Sequence, residues 1–294
     1  MEQNLIQTSR IRISSLSIDS RFADQNYGSP PDTSEFLIRL PSTLRNIMRI
    51  RLSSVEIPPT EYVFSEDKGN VTLGVSGEPL VSIPAGNYTV GALCTAVKSA
   101  LGGSYDCSFN TITGRVTITA PSDFTLFCGS QDEKISARKT DWGLGYFLGI
   151  RIPYITDKSV PPEERRAIAS VNKKIVAYAP PLVCASPYYL LQLQCPDQLE
   201  NVTHRVSANT SVPAFAKLIF KNDTYCIETD DNSNLVRKEY TFLAPTNISQ
   251  LRVKLVDPFG LPVRLYTADW SMTFEVTEVV NTHTYDKLNM TYNS

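Results

Sequence analysis

Histidine is nearly absent from this 294-residue chain, occurring only at positions 204 and 283. That leaves little material for imidazole metal sites or for a histidine general base. An excess of one charge is also missing. The 28 basic and 30 acidic residues give a net charge of -2, so bulk electrostatics gives no reason to expect a nucleic-acid binder. No apolar run approaches the length of a membrane-spanning helix. The opening Met1-Glu-Gln-Asn-Leu-Ile-Gln7 has no apolar core, so a secretory signal is not expected. No C-x-x-C pair occurs. The cysteines at 94, 107, 128, 184, 195 and 226 sit mostly in apolar strand-like contexts and read as free buried thiols. Asn-x-Ser/Thr triplets begin at Asn70, Asn87, Asn201, Asn209, Asn222, Asn247 and Asn289. Without secretion they reflect the residue bias of turns and solvent-facing strands, and a protein made and assembled in the cytosol fits.

What is present is period-two alternation. Leu251, Val253 and Leu255 alternate with Arg252 and Lys254, and Trp270, Met272, Phe274 and Val276 alternate with Ser271, Thr273, Glu275 and Thr277. The two arms flank the turn-rich Asp257-Pro-Phe-Gly-Leu-Pro262, which predicts a hairpin-like pair with one buried face. Such a face needs a covering layer, and most of the upstream chain is expected to supply it. Residues 36–40 predict a short strand ended by Pro41, and 47–57 a strong one stopped by Pro58-Pro59. Hairpins are expected over 71–83 and 105–118. Leu93, Val97 and Leu101 predict one helix over about 89–101, with Thr89 as N-cap and Gly102-Gly103 as stop. Residues 142–150 are too glycine-dense for a helix and read as a tight apolar connector.

About a dozen short strands and a single helix predict an all-β, antiparallel jelly-roll or β-sandwich with one short helix inserted. The organisation read from the chain is an extended N-terminal arm over 1–34 and a β-rich half over 35–155. A sandwich or jelly-roll half over 156–280 and a C-terminal tail over 281–294 follow. Deleting 1–34 is expected to leave the body folded.

The search for chemistry yields isolated residues rather than constellations. His204 stands alone, with Cys195 nine residues before it and His283 remote. Asp230, Asp231, Asn232 and Asn234 lack the spacing, glycine and closing glutamate of a calcium loop. No G-x-S-x-G elbow occurs. Glu163 and Glu164, followed by Arg165 and Arg166, read as a solvated charged loop, because adjacent carboxylates do not face each other across a substrate. Gly143, Gly145 and Gly149 lack the βαβ setting and Lys-Ser/Thr of a phosphate loop. Arg39, Arg45, Arg49 and Arg51 with Tyr62 offer a sparse basic patch that matches no recognised nucleic-acid module, and a solvated strand face is the commoner explanation for such arginines. Tyr62, Tyr146, Tyr188 and Tyr189 are the candidates for a sugar-stacking platform, against core packing or partner contact. No catalytic, cofactor-binding or metal residues are assigned, and no cofactor is expected.

Several stretches form an ordered set: Leu16-Ser-Ile-Asp-Ser-Arg-Phe22, Ile50-Arg-Leu-Ser-Ser-Val-Glu-Ile-Pro-Pro59, Ile83-Pro-Ala-Gly-Asn-Tyr-Thr89, the segment 105–118, Leu144-Gly-Tyr-Phe-Leu-Gly149, Leu251-Arg-Val-Lys-Leu-Val-Asp-Pro-Phe-Gly260 and Asp269-Trp-Ser-Met-Thr-Phe-Glu275. Taken in this order, they resemble the minor capsid proteins of nucleocytoplasmic large DNA viruses. The resemblance implies a structural virion part, assembled in the host cytoplasm, that bridges capsomers of major capsid protein. Its partners would be those capsomers and other minor capsid proteins, or further copies of itself. Nucleic-acid binding is not implied, and membrane contact would be peripheral. A penton or vertex protein and a carbohydrate-binding β-sandwich module are the alternatives. Matching positions such as Gly86, Gly114, Gly149, Gly260, Trp270 and Phe274 read as fold-determining, and no catalytic residues carry over.

Overall fold

The computed structural model describes residues 11–58, 60–184, 188–195, 203–207, 210–219, 227–229 and 238–280. In chain order the elements begin with β1 (Ile11–Asp19), β2 (Gln25–Gly28) and β3 (Pro31–Glu56). Next come β4 (Thr72–Val75), β5 (Val81–Ser82), helix α1 (Val90–Leu101), β6 (Asp106–Asn110), β7 (Arg115–Thr119) and β8 (Thr125–Phe127). Two short helices, α2 (Glu133–Ser136) and α3 (Leu144–Phe147), precede β9 (Ala167–Ala169) and β10 (Lys174–Val176). The chain then runs through β11 (Tyr188–Gln194), β12 (Thr203–Ser207), β13 (Thr210–Ala214), β14 (Ala216–Ile219), β15 (Ile227–Thr229), β16 (Glu239–Val256) and β17 (Ser271–Val279). Among the described residues every strand pairing is antiparallel, which establishes the all-β class; beside α1, the helices α2 and α3 are single turns.

The chain forms two compact units, 1–61 with 186–294, and 62–185. This division differs from the one read along the sequence. Residues 155 and 156 both lie in the second unit, which is inserted between β3 and β11 of the first. Proline and charge density mark a loop, but they cannot reveal that a chain leaves one sheet and later returns to it.

The first unit is built on one sheet ordered β1-β17-β3-β16-β11-β14, with β2 and β15 also pairing β3. The two arms predicted to pair with each other therefore do not. β3 lies between β16 and β17 and pairs with both. Period-two alternation specifies which face a strand buries, but it carries no information about the neighbour. Pro41 does not end its strand either. β3 runs for 26 residues, with register shifts in its pairing to β16 between Thr241 and Gln250, near Asn46 at φ 55°. Such bulges let a proline sit in a strand and bend it.

The sheet also covers its own buried face. Phe215, which leads into β14, meets Phe274 of β17 edge-on at 5.9 Å, although these strands stand four places apart in the sheet order. Curling brings Ile18, Phe36, Ile50, Leu191, Leu193, Leu218, Leu251, Val253, Leu255, Met272 and Val276 into the same core. β1 is part of this sheet: it pairs with β17 from Ile11↔Val279 to Asp19↔Ser271, and Ile18 is buried. Residues 11–34 are therefore built into the body, not laid beside it.

The second unit has its own core around Phe64, Leu73, Leu93, Val97, Ile118, Leu126, Trp142 and Leu148. Its sheets run β5-β4-β8-β9 and β10-β7-β6. Helix α1 forms as predicted. Thr89 accepts from Ala92 N at 3.2 Å, Leu93, Cys94, Val97 and Leu101 are buried, and Gly102 ends it at φ 87°. The expected connector over 142–150 instead winds one turn as α3. Gly145 is needed there, since a Cβ would stand 2.4 Å from Cys128 Sγ.

Candidate functional site

The most developed polar feature of the first unit lies on the outward side of its sheet. In the register, Glu35 of β3 stands opposite Lys254 of β16, which stands opposite Gln192 of β11. One row along, Arg252 stands opposite Gln194. These five side chains line a depression of about 140 Å³. Alternation explains the grouping: Arg252 and Lys254 point away from the core face carried by Leu251, Val253 and Leu255.

Glu35 is held from two sides. Arg252 donates to its Oε1 through Nε at 3.1 Å and again through Nη2, and Lys254 Nζ lies 3.0 Å from Oε2. Arg252 also lies 4.3 Å from the ring centre of Tyr27. Burial raises the Glu35 pKa, but the hydrogen bonds from Lys254 and Arg252 prevail and leave it below the ordinary value. The carboxylate stays ionised at neutral pH, and two cations share it. The depression therefore carries an excess positive charge and two amides. It can receive an acidic group from a partner.

The second unit hides a different polar node. Arg165 and Arg166, read from the sequence as solvated, are both 4% exposed. Arg165 donates to Glu133 Oε1 at 2.8 Å, to the Tyr154 hydroxyl at 2.9 Å and to the carbonyls of Val160 and Lys158. Arg166 donates to the carbonyls of Ser136, Ile152 and Arg138 and lies over the rings of Trp142 and Tyr154. Burial lowers its pKa. The carbonyl of Ser136 ends α2 and those of Arg138 and Ile152 lie outside the strands, so the guanidinium does the work of a ladder there. No local pattern announces this, because the carbonyls it donates to are 14 to 30 residues away. Glu163 and Glu164 are half-buried in the adjoining 3-10 turn Pro162–Arg165.

The other candidates disperse. Arg51 sits in one register row between Glu239 and Glu275, and Arg49 pairs with Glu275 at 3.0 Å and Glu239 at 3.8 Å. The basic row on β3 is thus countered by acids on both neighbouring strands. Tyr62 belongs to the second unit. The four tyrosines form no platform. Tyr188 is covered by Lys217 at 4.0 Å and Tyr146 by Arg151 at 3.6 Å, while Tyr189 is buried with its hydroxyl donating to Glu61. His204 lies on β12 opposite Pro213. His283, Cys226 and the segment 230–234 lie outside the described residues. Cys94, Cys107, Cys128 and Cys195 are free and buried, and Cys184 is free and exposed. Asn70 departs from the surface reading of its triplet: it is fully buried, accepting from Ser65 N and donating to Val63 O. Among the described residues no group of three or more His, Cys, Asp or Glu side chains is placed to hold a metal, and no helix is long and apolar enough to cross a membrane.

Of the family-like positions, Trp270 is buried with Nε1 donating to Thr33 O at 2.7 Å, and Phe274 is fully buried. No protein-family model matches the sequence, and no curated protein does. Among solved structures, the chain is similar to the mavirus penton protein at 10% identity and TM-score 0.40, over 92% of this chain and 99% of that one. It is similar to a chain of the Sputnik virophage at 12% identity and TM-score 0.37, over 91% and 98%.

Proposed function

We propose that this chain is a structural component of a virus particle, whose work is contact between capsid proteins and not turnover. One observation carries the reading. The stretches that resemble capsid-protein signatures fall on core elements of both units, whereas among the described residues the chemistry-bearing side chains form no metal-holding group. Leu16 to Phe22 covers the end of β1, and Ile50 to Pro59 the end of β3. Ile83 to Thr89 leads into α1, segment 105–118 is the β6–β7 hairpin, and Leu144 to Gly149 is α3 with its stop. Leu251 to Gly260 and Asp269 to Glu275 supply β16 and β17. On this reading the chain has no catalytic, cofactor or metal residues. Its partners are capsomers and other capsid proteins, and it is incorporated into virions in the host cytoplasm.

Two placements suit such a part: a bridge beneath or between capsomers, as in the minor capsid proteins that the motif order resembles, and a five-fold vertex. Purified virions from the source of this sequence, stripped stepwise with protease and detergent and probed for the chain, test the role. Native mass measurement of the isolated protein distinguishes the placements. Protection until capsomers detach, with no ring, marks the bridge. Pentamers released with the vertices mark the second placement. Absence from purified virions overturns both.

A further inference from the structure

The outward face of β3, β16 and β11 carries an unbalanced charge in a fixed place. The register sets Glu35 opposite Lys254 and Lys254 opposite Gln192, with Arg252 opposite Gln194 one row along. Two cations therefore meet one carboxylate in the depression of about 140 Å³ that these five side chains line. They differ in depth. The Glu35 side chain keeps 10% of its surface exposed, against 30% for Lys254 and 42% for Arg252, so it is the cations that face solvent. Both ends of the depression are held. Arg252 lies against the ring of Tyr27, and Gln192 Nε2 donates to the carbonyl of Pro213 at 2.7 Å. Donors are left over. Glu35 accepts from Nε and Nη2 of Arg252 and lies 3.0 Å from Lys254 Nζ. Among the described residues, Arg252 Nη1 and the side-chain amide of Gln194 have no hydrogen-bond partner.

We propose that this depression is a receptor for a single carboxylate, the side chain of an aspartate or glutamate on a segment of a partner protein. The incoming acid sits beside Glu35 and accepts from Arg252 Nη1, Lys254 Nζ and the Gln194 amide. Glu35 then has two roles. It holds the long cationic side chains in place before the partner arrives, so less side-chain freedom is lost on binding. It also cancels one of the two positive charges, which leaves the site matched to one negative charge. A doubly charged phosphate would stand partly uncompensated beside Glu35, whereas a carboxylate is balanced. Planar donors on Arg252 suit a carboxylate in geometry as well. The inference rests on the reading above in one respect, that the chain works by contact with other proteins.

The test uses the full chain and two fluorescein-labelled peptide amides, Gly-Ser-Glu-Ser-Glu-Ser-Gly and the same peptide with glutamine for glutamate. Fluorescence polarisation at low salt, roughly 50 mM, should show the acidic peptide binding at least about tenfold more tightly than its neutral twin. Lys254→Gln and Arg252→Gln should each weaken it about tenfold. Glu35→Gln should tighten it about tenfold, because the opposing charge is gone. Glu275→Gln makes the same change of charge beside Arg49 and should leave the affinity within about twofold. Carbodiimide coupling then locates the contact. The peptide should be joined to Lys254, which blocks cleavage there and appears on the tryptic fragment Val253–Arg264. Equal binding of the two peptides would overturn the proposal, and that comparison needs no variant to fold. Equal effects of Glu35→Gln and Glu275→Gln, or coupling spread over other lysines, would reduce the binding to general surface charge and overturn it too. So would binding to phosphatidylserine vesicles with neither peptide bound. Failure of the acidic peptide to bind a chain that is nonetheless found in virions would sink this inference and leave the structural role standing. Peptide binding at Lys254 by a chain absent from virions would do the reverse.

Discussion

The guanidinium of Arg166 lies 4.5 Å from the ring centre of Trp142, inside the second unit. A cation in that position is stable because three backbone carbonyls accept its hydrogen bonds and two aromatic rings supply the remaining contact. Two charged residues in a proline-flanked, acid-rich segment thus organise the loops around Ser136, Arg138 and Ile152.

Arg166→Leu keeps much of the volume and removes the donors. Three carbonyls then lose their partner in a buried setting, at a cost of about 3 kcal/mol or more. Chemical denaturation should show that loss in the transition of the second unit. A change below about 0.5 kcal/mol would mean that water replaces the guanidinium without penalty.

Gly149 sits at φ 81°, and a Cβ there would stand 2.0 Å from the carbonyl oxygen of Ala179. That carbonyl cannot move freely, because Ala179 N donates to Gly149 O at 2.9 Å. Gly149→Ala should destabilise the protein by about 3 kcal/mol, combining backbone strain with the clash. Thermal melting of the variant checks it, and an unchanged midpoint would show that this turn relaxes.

Glu35 contributes stability that depends on pH. Its folded-state pKa is depressed relative to the unfolded chain, so the contribution is complete above the ordinary glutamate range. It is lost as pH falls through that range toward the folded value. Melting curves between about pH 7 and pH 3 should show Glu35→Gln less stable than wild type at neutral pH, the two converging in acid. Curves that stay parallel throughout would show that Arg252 and Lys254 gain nothing from the carboxylate.

Deleting residues 1–34 should unfold the first unit. The deletion removes β1, buried Ile18, and Thr33, whose carbonyl accepts from Trp270 Nε1 and whose hydroxyl donates to Ala268 O at 2.6 Å. It also leaves β17 as an open edge, which favours aggregation. Calorimetry and light scattering of the truncation should show the loss of one transition and the appearance of oligomers. A soluble monomer melting like the full chain would contradict this.

Much of the local structure was legible in residue order. Thr89 with Leu93, Val97 and Leu101 announced α1, and the turn Asn110 to Gly114 announced the β6–β7 hairpin, because caps, periodicity and glycine turns act over a few residues. The alternation of Leu251, Val253 and Leu255, and of Met272, Phe274 and Val276, named the buried faces correctly. It also placed Arg252 and Lys254 outside, although Glu35 as their partner carried no signal.

Alternation, capping and turn chemistry determined that this chain is an antiparallel β protein with one substantial helix, since each depends only on neighbours in sequence. The tertiary structure alone decided that β3 separates β16 from β17, that the sheet curls until Phe215 meets Phe274, and that a second unit interrupts the first. It alone buried Arg165 and Arg166. Those outcomes depend on contacts between residues far apart in the chain, where packing and the need to satisfy buried polar groups choose among partners that local sequence leaves equivalent.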